Sequence, residues 1–301
     1  MLVVYDEFID YTEHPDRETR ISVNKSVFTA FMQNQEIYSS ALQNICADRL
    51  KSSIRRGYNS PLHKSLIRSD IPKKVIDDLT ITVEDNIDIY QKFLKIKAKL
   101  LNLSKLHGVD VYAYLPSEKK YKVDELKDLI LQVYNKFDNS FGEIVLDIFE
   151  RNHIDLTTRE GKIAGFCYPW YNGKSAFVSL SYIGFFRDIS PFIHEIGHGI
   201  HDCLASSEQS YLNFYPSHLM CETGSIFGEL LLMDFFLEST ESTQQKIILL
   251  TNLLTMGGSK QIFLFGWFFW FEQSLNDANE KGENLDCNAF SKYWCAARDK
   301  V

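Results

Sequence analysis

The chain has 301 residues, of which 45% are hydrophobic, 14% aromatic and 24% charged, and its 32 Lys and Arg against 40 Asp and Glu leave a net charge of −8. A chain of this size buries about 75% of its unfolded surface, so a core forms without disulfide or metal staples. The hydrophobic share excludes intrinsic disorder, 15 Gly and 7 Pro exclude low-complexity character, and the acidic balance argues against a nucleic-acid partner.

None of the six cysteines forms a Cys-x-x-Cys pair, and the opening residues MLVVYDEFID place Asp6 and Glu7 where a secretory signal is basic and then apolar. The expectation is a reduced, cytoplasmic protein. The most apolar run, IFLFGWFFWF from Ile262 to Phe271, has ten residues. That is too short to cross about 30 Å of hydrocarbon as a helix, so a buried core helix and no membrane partner are expected.

In chain order, apolar residues at Ile21, Phe28, Phe31, Ile37, Leu42, Ile45 and Leu50 predict one or two long helices after Asp16, ending near Gly57. Thr82 and Asp85 resemble a capping box that would start a helix running to Leu106, stopped by His107 and Gly108. Val123 to Phe137 and Phe141 to Phe149 read as two shorter helices. After Gly161 the texture changes: Lys162 to Tyr168 and Lys174 to Tyr182 read as strands, with Asn172-Gly173 as a hairpin turn. Helices return at Pro191 to Leu204, Pro216 to Leu237, Thr243 to Thr255, Lys260 to Asn279 and Cys287 to Arg298. Without repeats or a linker, the pattern predicts a single mostly helical domain over 1–301. Residues 1–150 form its helical scaffold, and residues 151–301 carry a small β-sheet or hairpin beside the middle helix.

That middle helix reads Ser190-Pro191-Phe192-Ile193-His194-Glu195-Ile196-Gly197-His198. Ser190 suits the N-cap and Pro191 the first helical position. His194 and His198, four apart, share a face and can grip one cation, while Glu195 lies about 100° round the helix. This is the His-Glu-x-x-His pattern of zinc peptidases. Ile193, Ile196, Ile200 and Leu204 supply an apolar face to bury. The competing reading is two histidines on a polar helix face with no metal.

A zinc site needs a third protein ligand. A metzincin would have Gly and His at positions 201 and 204, where this chain has His201 and Leu204. A carboxylate from the following helix is the other solution, and Glu222 fits. His201 reads equally as a substrate or ligand contact and as a packed histidine. Glu229, two turns after Glu222, reads as an orienting group or as a surface ion pair. Cys203 and Cys221 adjoin the ligands, and Tyr168, Trp170 and Tyr171 either line a cleft or pack.

HEIGHGIH at 194–201, followed by ETGSIFGE at 222–229, resembles the oligoendopeptidase F family of thimet oligopeptidase-like zinc peptidases. Weaker similarities lie at Arg56-Gly57-Tyr58, GKIAGFCYP at 161–169 and SKQIFLFGWFFWFE at 259–272, so that the likeness runs from about residue 15 to 298. The resemblance implies a mostly helical, gluzincin-type core holding one Zn2+ through His194, His198 and Glu222. It makes Glu195 the general base on a metal-bound water, and oligopeptides the substrate of a zinc metalloendopeptidase. It also implies that Ala164, Gly165, Phe166 and Cys167 form an edge strand whose backbone pairs with the peptide.

Family members extend further at both ends and carry, near the C-terminus, His and Tyr residues that stabilise the oxyanion. Here no His follows His218 and the one Tyr beyond 260 is Tyr293, with Tyr215 and His218 as the available substitutes. Three readings follow: a working zinc peptidase, a truncated zinc-binding core that a partner chain completes, and a helical binding protein with an incidental motif.

Overall fold

Apolar residues recurring with a helical period become helices along most of the chain. A computed structural model describes residues 11–115, 120–162, 165–256 and 258–301. They form two compact units, Met1–Ala113 with Ser259–Val301, and Tyr114–Gly258. No helix among the described residues is long and apolar enough to cross a membrane.

In the first unit, α1 (Arg17–Gln33) starts where Asp16 accepts a hydrogen bond from the Thr19 N–H at 2.8 Å. α2 (Gln35–Arg55) closes on Gly57, whose φ of 73° suits glycine at a helix end. α3 (Pro61–Ser69), α4 (Lys73–Asp85), α5 (Ile87–Leu100), α11 (Gly258–Glu280) and α12 (Cys287–Arg298) complete this unit. The apolar run expected to be a core helix does contribute buried Trp267 and Trp270, which pack with Val83 and Ala297.

The start expected at Thr82 is corrected. Thr82 and Asp85 lie inside the end of α4, and the Thr82 hydroxyl donates to the Asp78 carbonyl at 2.7 Å. A hydroxyl satisfied by the carbonyl one turn back has no cap to make. The next helix opens after Asn86 and ends at Leu100, well short of Leu106.

The second unit opens with α6 (Val123–Phe137) and α7 (Asn139–Glu150) and continues into three strands, β1 (Ile154–Asp155), β2 (Phe166–Trp170) and β3 (Ser175–Ser179). Their order is β1-β3-β2, with β1 parallel and β2 antiparallel to the central β3. The expected strands are thus shorter, and β1 was not foreseen from its two residues. The turn also differs from a two-residue Asn-Gly hairpin. Tyr171–Gly173 make a 3-10 turn, and Lys174 takes the left-handed conformation at φ 47°. Gly173 is needed there because a Cβ would lie 2.2 Å from the Trp170 ring.

α8 (Ile189–Glu208), α9 (His218–Ser239) and α10 (Thr243–Met256) follow. Ser190 is not the N-cap of α8. The helix begins at Ile189 after a 3-10 turn over Phe186–Asp188, and Asp188 holds that turn by accepting from the Ile183 and Phe185 N–H groups at 3.0 and 2.9 Å. Ser190 and Pro191 fall within the first turn, where proline's missing N–H costs nothing. Of the apolar face, Ile193, Ile196 and Ile200 are buried with Leu126, Ile130, Val133 and Leu232, whereas Leu204 stays exposed. This packing fixes the rotation of α8 and turns its histidines away from the core.

Among the described residues, the least solvated ion pair lies in the first unit. Asp110 is fully buried and accepts from Arg17 Nε and Nη2 at 3.0 and 3.1 Å, from Arg20 Nη2 at 2.9 Å and from the His107 N–H at 3.2 Å. Burial raises its pKa, but the hydrogen bonds from both guanidinium groups and the His107 N–H outweigh that and leave it below the ordinary carboxylate value. Its contribution is therefore complete above the unfolded value of about 3.9 and is lost as the pH falls towards the folded one. Asp110→Asn should cost about 3–5 kcal/mol, since it leaves the buried Arg20 charge without its carboxylate and with carbonyl partners alone. Thermal melts from pH 7 to 3 should show the wild type losing stability below about pH 4 more steeply than this variant.

Candidate metal centre

His194 and His198 stand one turn apart on α8, with ring centroids 4.9 Å apart and planes at 87°. Glu222 comes from the first turns of α9, and glycines let that helix approach closely. A Cβ at Gly197 would lie 2.5 Å from the Gly224 carbonyl oxygen and 2.7 Å from Ser225 Cα, and one at Gly224 would lie 3.1 Å from the Gly197 carbonyl oxygen. The two backbones touch.

This contact puts Glu222 Oε2 3.4 Å from His194 Nε2 and 3.7 Å from His198 Nε2. Bonds of about 2.0–2.1 Å in a tetrahedron separate donor atoms by roughly 3.3–3.4 Å, so the two distances from Glu222 are close to the spacing zinc requires. The ligand atoms of the triad all lie within 4.8 Å of one another.

Both imidazoles present Nε2 because their other nitrogens are engaged. His194 Nδ1 lies 2.7 Å from Glu229 Oε1, and His198 Nδ1 lies 3.4 Å from the Cys221 sulfur. The Ser225 hydroxyl donates to Glu222 Oε2 at 3.0 Å and steadies that carboxylate. Glu229 is buried and its Oε2 has no partner among the described residues.

The electrostatics reflect crowded carboxylates in a half-buried place. Burial lowers the His194 pKa, yet the Glu229 hydrogen bond and charge override it and leave the group raised. Burial and the His194 charge depress His198. Glu195 is pushed up to about 7 by burial, with His194 opposing and Glu222 adding to the rise. Asp202, one turn beyond His198, is pushed up to about 6 by burial, with a hydrogen bond from the Cys167 thiol opposing.

The edge strand sits beside this helix. A Cβ on Gly165 would come 3.1 Å from Glu195 Oε1, so the bare backbone there lies against that carboxylate. Cys167 faces α8, its sulfur 3.7 Å from Asp202 Oδ2. Phe166, Tyr168 and Trp170 alternate to the other side and are exposed. Ala164 lies outside the described residues.

Trp170 packs against His153 and Phe177, and the Tyr171 hydroxyl donates to the Gln209 carbonyl. His201 abuts Gly224 and its Nδ1 is buried without a partner among the described residues. Cys203 is buried, its thiol pushed up to about 12. Tyr215 is exposed, and Tyr293 donates to Glu283 in the first unit. The His218 side chain lies outside the described residues. Sequence reading did not single out Gly197, Gly224 or Ser225, and the glycines were the available signal, because small residues mark close helix crossings.

Residues 10–299 match the family model described as peptidase family M3. The chain belongs to peptidase family M3. Among its M3 relatives, oligopeptidase PepF of Bacillus subtilis is 23% identical over 286 residues, covering 94% of this chain and 42% of that protein. The chromosomal oligoendopeptidase F of Lactococcus lactis subsp. cremoris is 26% identical over 277 residues, covering 91% and 45%. The crystal structure of oligoendopeptidase-F from Enterococcus faecium shares the fold, with a TM-score of 0.70 at 19% identity over 100% of this chain and 47% of that one. This M3 chain spans about half the length of the relatives it matches.

The helix contact makes Gly197→Ala a selective lesion. The added methyl meets backbone and should cost about 1–3 kcal/mol as overpacking. Gly199→Ala meets side chains alone, the end of Ile148 at 3.2 Å and Ala176 Cβ at 3.6 Å, and should be near neutral. Thermal melts with zinc titrations should show Gly197→Ala losing both stability and metal binding, and Gly199→Ala keeping both.

Proposed function

We propose that the chain is a zinc-dependent endopeptidase that hydrolyses internal peptide bonds of oligopeptides. The observation that carries this reading is the convergence of His194 Nε2, His198 Nε2 and Glu222 Oε2 to within 4.8 Å of one another, with the half-buried Glu195 beside them. Membership of family M3 supports it, as do the oligopeptidase names of the relatives. The free cysteines fit a reducing, cytoplasmic setting.

One Zn2+ held by His194, His198 and Glu222 would supply a Lewis acid that acidifies water and polarises a carbonyl. The residues of the chain do the rest. Glu229 accepts the Nδ1 proton of His194 and keeps that ring in the tautomer with Nε2 free. Burial gives Glu195 a high proton affinity, which suits a group that takes a proton from the attacking water and delivers it to the leaving amine nitrogen. The backbone from Gly165 to Cys167, on an edge of the sheet, offers hydrogen bonds to an extended peptide, with bare Gly165 leaving room beside Glu195. His201 and Asp202 extend the polar row along α8 and would adjust the ligand helix rather than bind metal.

A quenched fluorescent peptide library tests the reading. Turnover should vanish with a chelator and return with zinc. Glu195→Gln should keep one zinc per chain and lose about 10²–10⁴ in rate. Glu229→Ala should bind zinc about 10–100-fold more weakly. Protein without stoichiometric zinc would overturn the proposal. Zinc-loaded protein that stays inert on every peptide would instead favour a core that needs a partner chain.

A further inference from the structure

Away from the metal centre, the first unit contains a cavity of about 750 Å³ lined by Arg17, Arg20 and Arg298 together with Trp267, Trp294 and Tyr112. Three guanidinium groups on one cavity are unusual in a chain of net charge −8. Asp110 is the one carboxylate in ion-pair contact with them among the described residues, and its hydrogen bonds go to Arg17 and Arg20. Arg20 is also satisfied by the carbonyls of Val109, His14 and Pro15 at 3.1, 2.6 and 3.1 Å.

Arg298 is different. It has no acidic partner among the described residues, and its guanidinium lies over the Trp267 ring at 4.7 Å. A Cβ on Gly108 would lie 3.0 Å from Arg298 Nη2, so glycine there makes room for the group. Among the described residues nothing pairs with the donor edges of the fork, which the stack leaves open to an anion. Trp267 and Trp294 sit 4.9 Å apart at 43°, which gives the cavity a flat apolar wall next to that positive charge.

We propose that this cavity binds a small carboxylic acid carrying a flat apolar group, with the carboxylate on Arg298 and the free edge of Arg17 and the ring against the tryptophans. A guanidinium fork pairs bidentately with a carboxylate or a phosphate, and the aromatic wall selects an anion that carries a flat apolar substituent. The site lies wholly in the first unit, and its case does not depend on the peptidase reading.

Calorimetric titration of the full chain with N-acetylphenylalanine, its neutral amide and inorganic phosphate tests the proposal. The acid should bind one per chain, and the amide at least about tenfold more weakly, as expected for loss of a charge-assisted pair. Arg298 is exposed at the end of α12, so Arg298→Gln should keep the melting temperature while weakening the acid at least about tenfold. Trp294→Ala should weaken the acid and leave any phosphate binding unchanged. Equal binding of acid and amide, an unchanged Arg298→Gln, or no saturation by about 10 mM acid would overturn the proposal. Phosphate competing as well as the acid would also overturn it, because the aromatic wall would then contribute nothing.

Discussion

The architecture of the candidate metal centre depends on one backbone contact. Where α8 and α9 cross, Gly197 and Gly224 leave no room for a methyl group between the main chains. Side chains at the crossing would hold the helix axes about 8–10 Å apart, as in ordinary helix packing. Without them, Glu222 Oε2 on one helix comes within 3.4 and 3.7 Å of two imidazole nitrogens on the other. The same crossing explains why Glu229, two turns along α9, meets the far nitrogen of His194. Ligand and orienting carboxylate lie on one face of one helix, and a single placement of that helix serves both.

The contact has an electrostatic consequence. It concentrates Glu222 and Glu229 beside Glu195, with Asp202 one turn further along α8. Burial raises Glu195 and Asp202, and Glu229 is buried with one oxygen unpaired among the described residues. Carboxylates gathered in a desolvated place repel one another, and a bound dication relieves that repulsion. The protein therefore holds Glu222 close enough to raise the proton affinity of Glu195. The apolar face of α8, packed on α6 and α9 through Ile193, Ile196 and Leu232, supplies the stability that allows it.

Much of this was readable because it is local. The spacing of His194 and His198 dictates a shared helix face, and the alternation around Phe177 dictates a strand. Glu222 was accessible as a carboxylate on the next helix and from the resemblance to oligoendopeptidase F. The Glu229–His194 distance, the Cys221–His198 contact and the Gly197–Gly224 crossing belong to tertiary structure, and no periodicity encodes them. The misreadings at Thr82 and Ser190 have a common cause. Hydroxyl side chains favour caps, yet they fit inside helices wherever a carbonyl one turn back or a buried site takes them. The two-residue β1 is too short to carry a pattern at all.

The central claim is that this crossing assembles a nitrogen, nitrogen and oxygen ligand set for zinc. X-ray absorption spectroscopy of the zinc-loaded chain reads that set directly. The account predicts one zinc per chain with two imidazoles and a carboxylate oxygen, all at about 2.0–2.2 Å. A sulfur scatterer at about 2.3 Å, which would bring Cys221 into the first coordination sphere, would contradict it, as would a single imidazole.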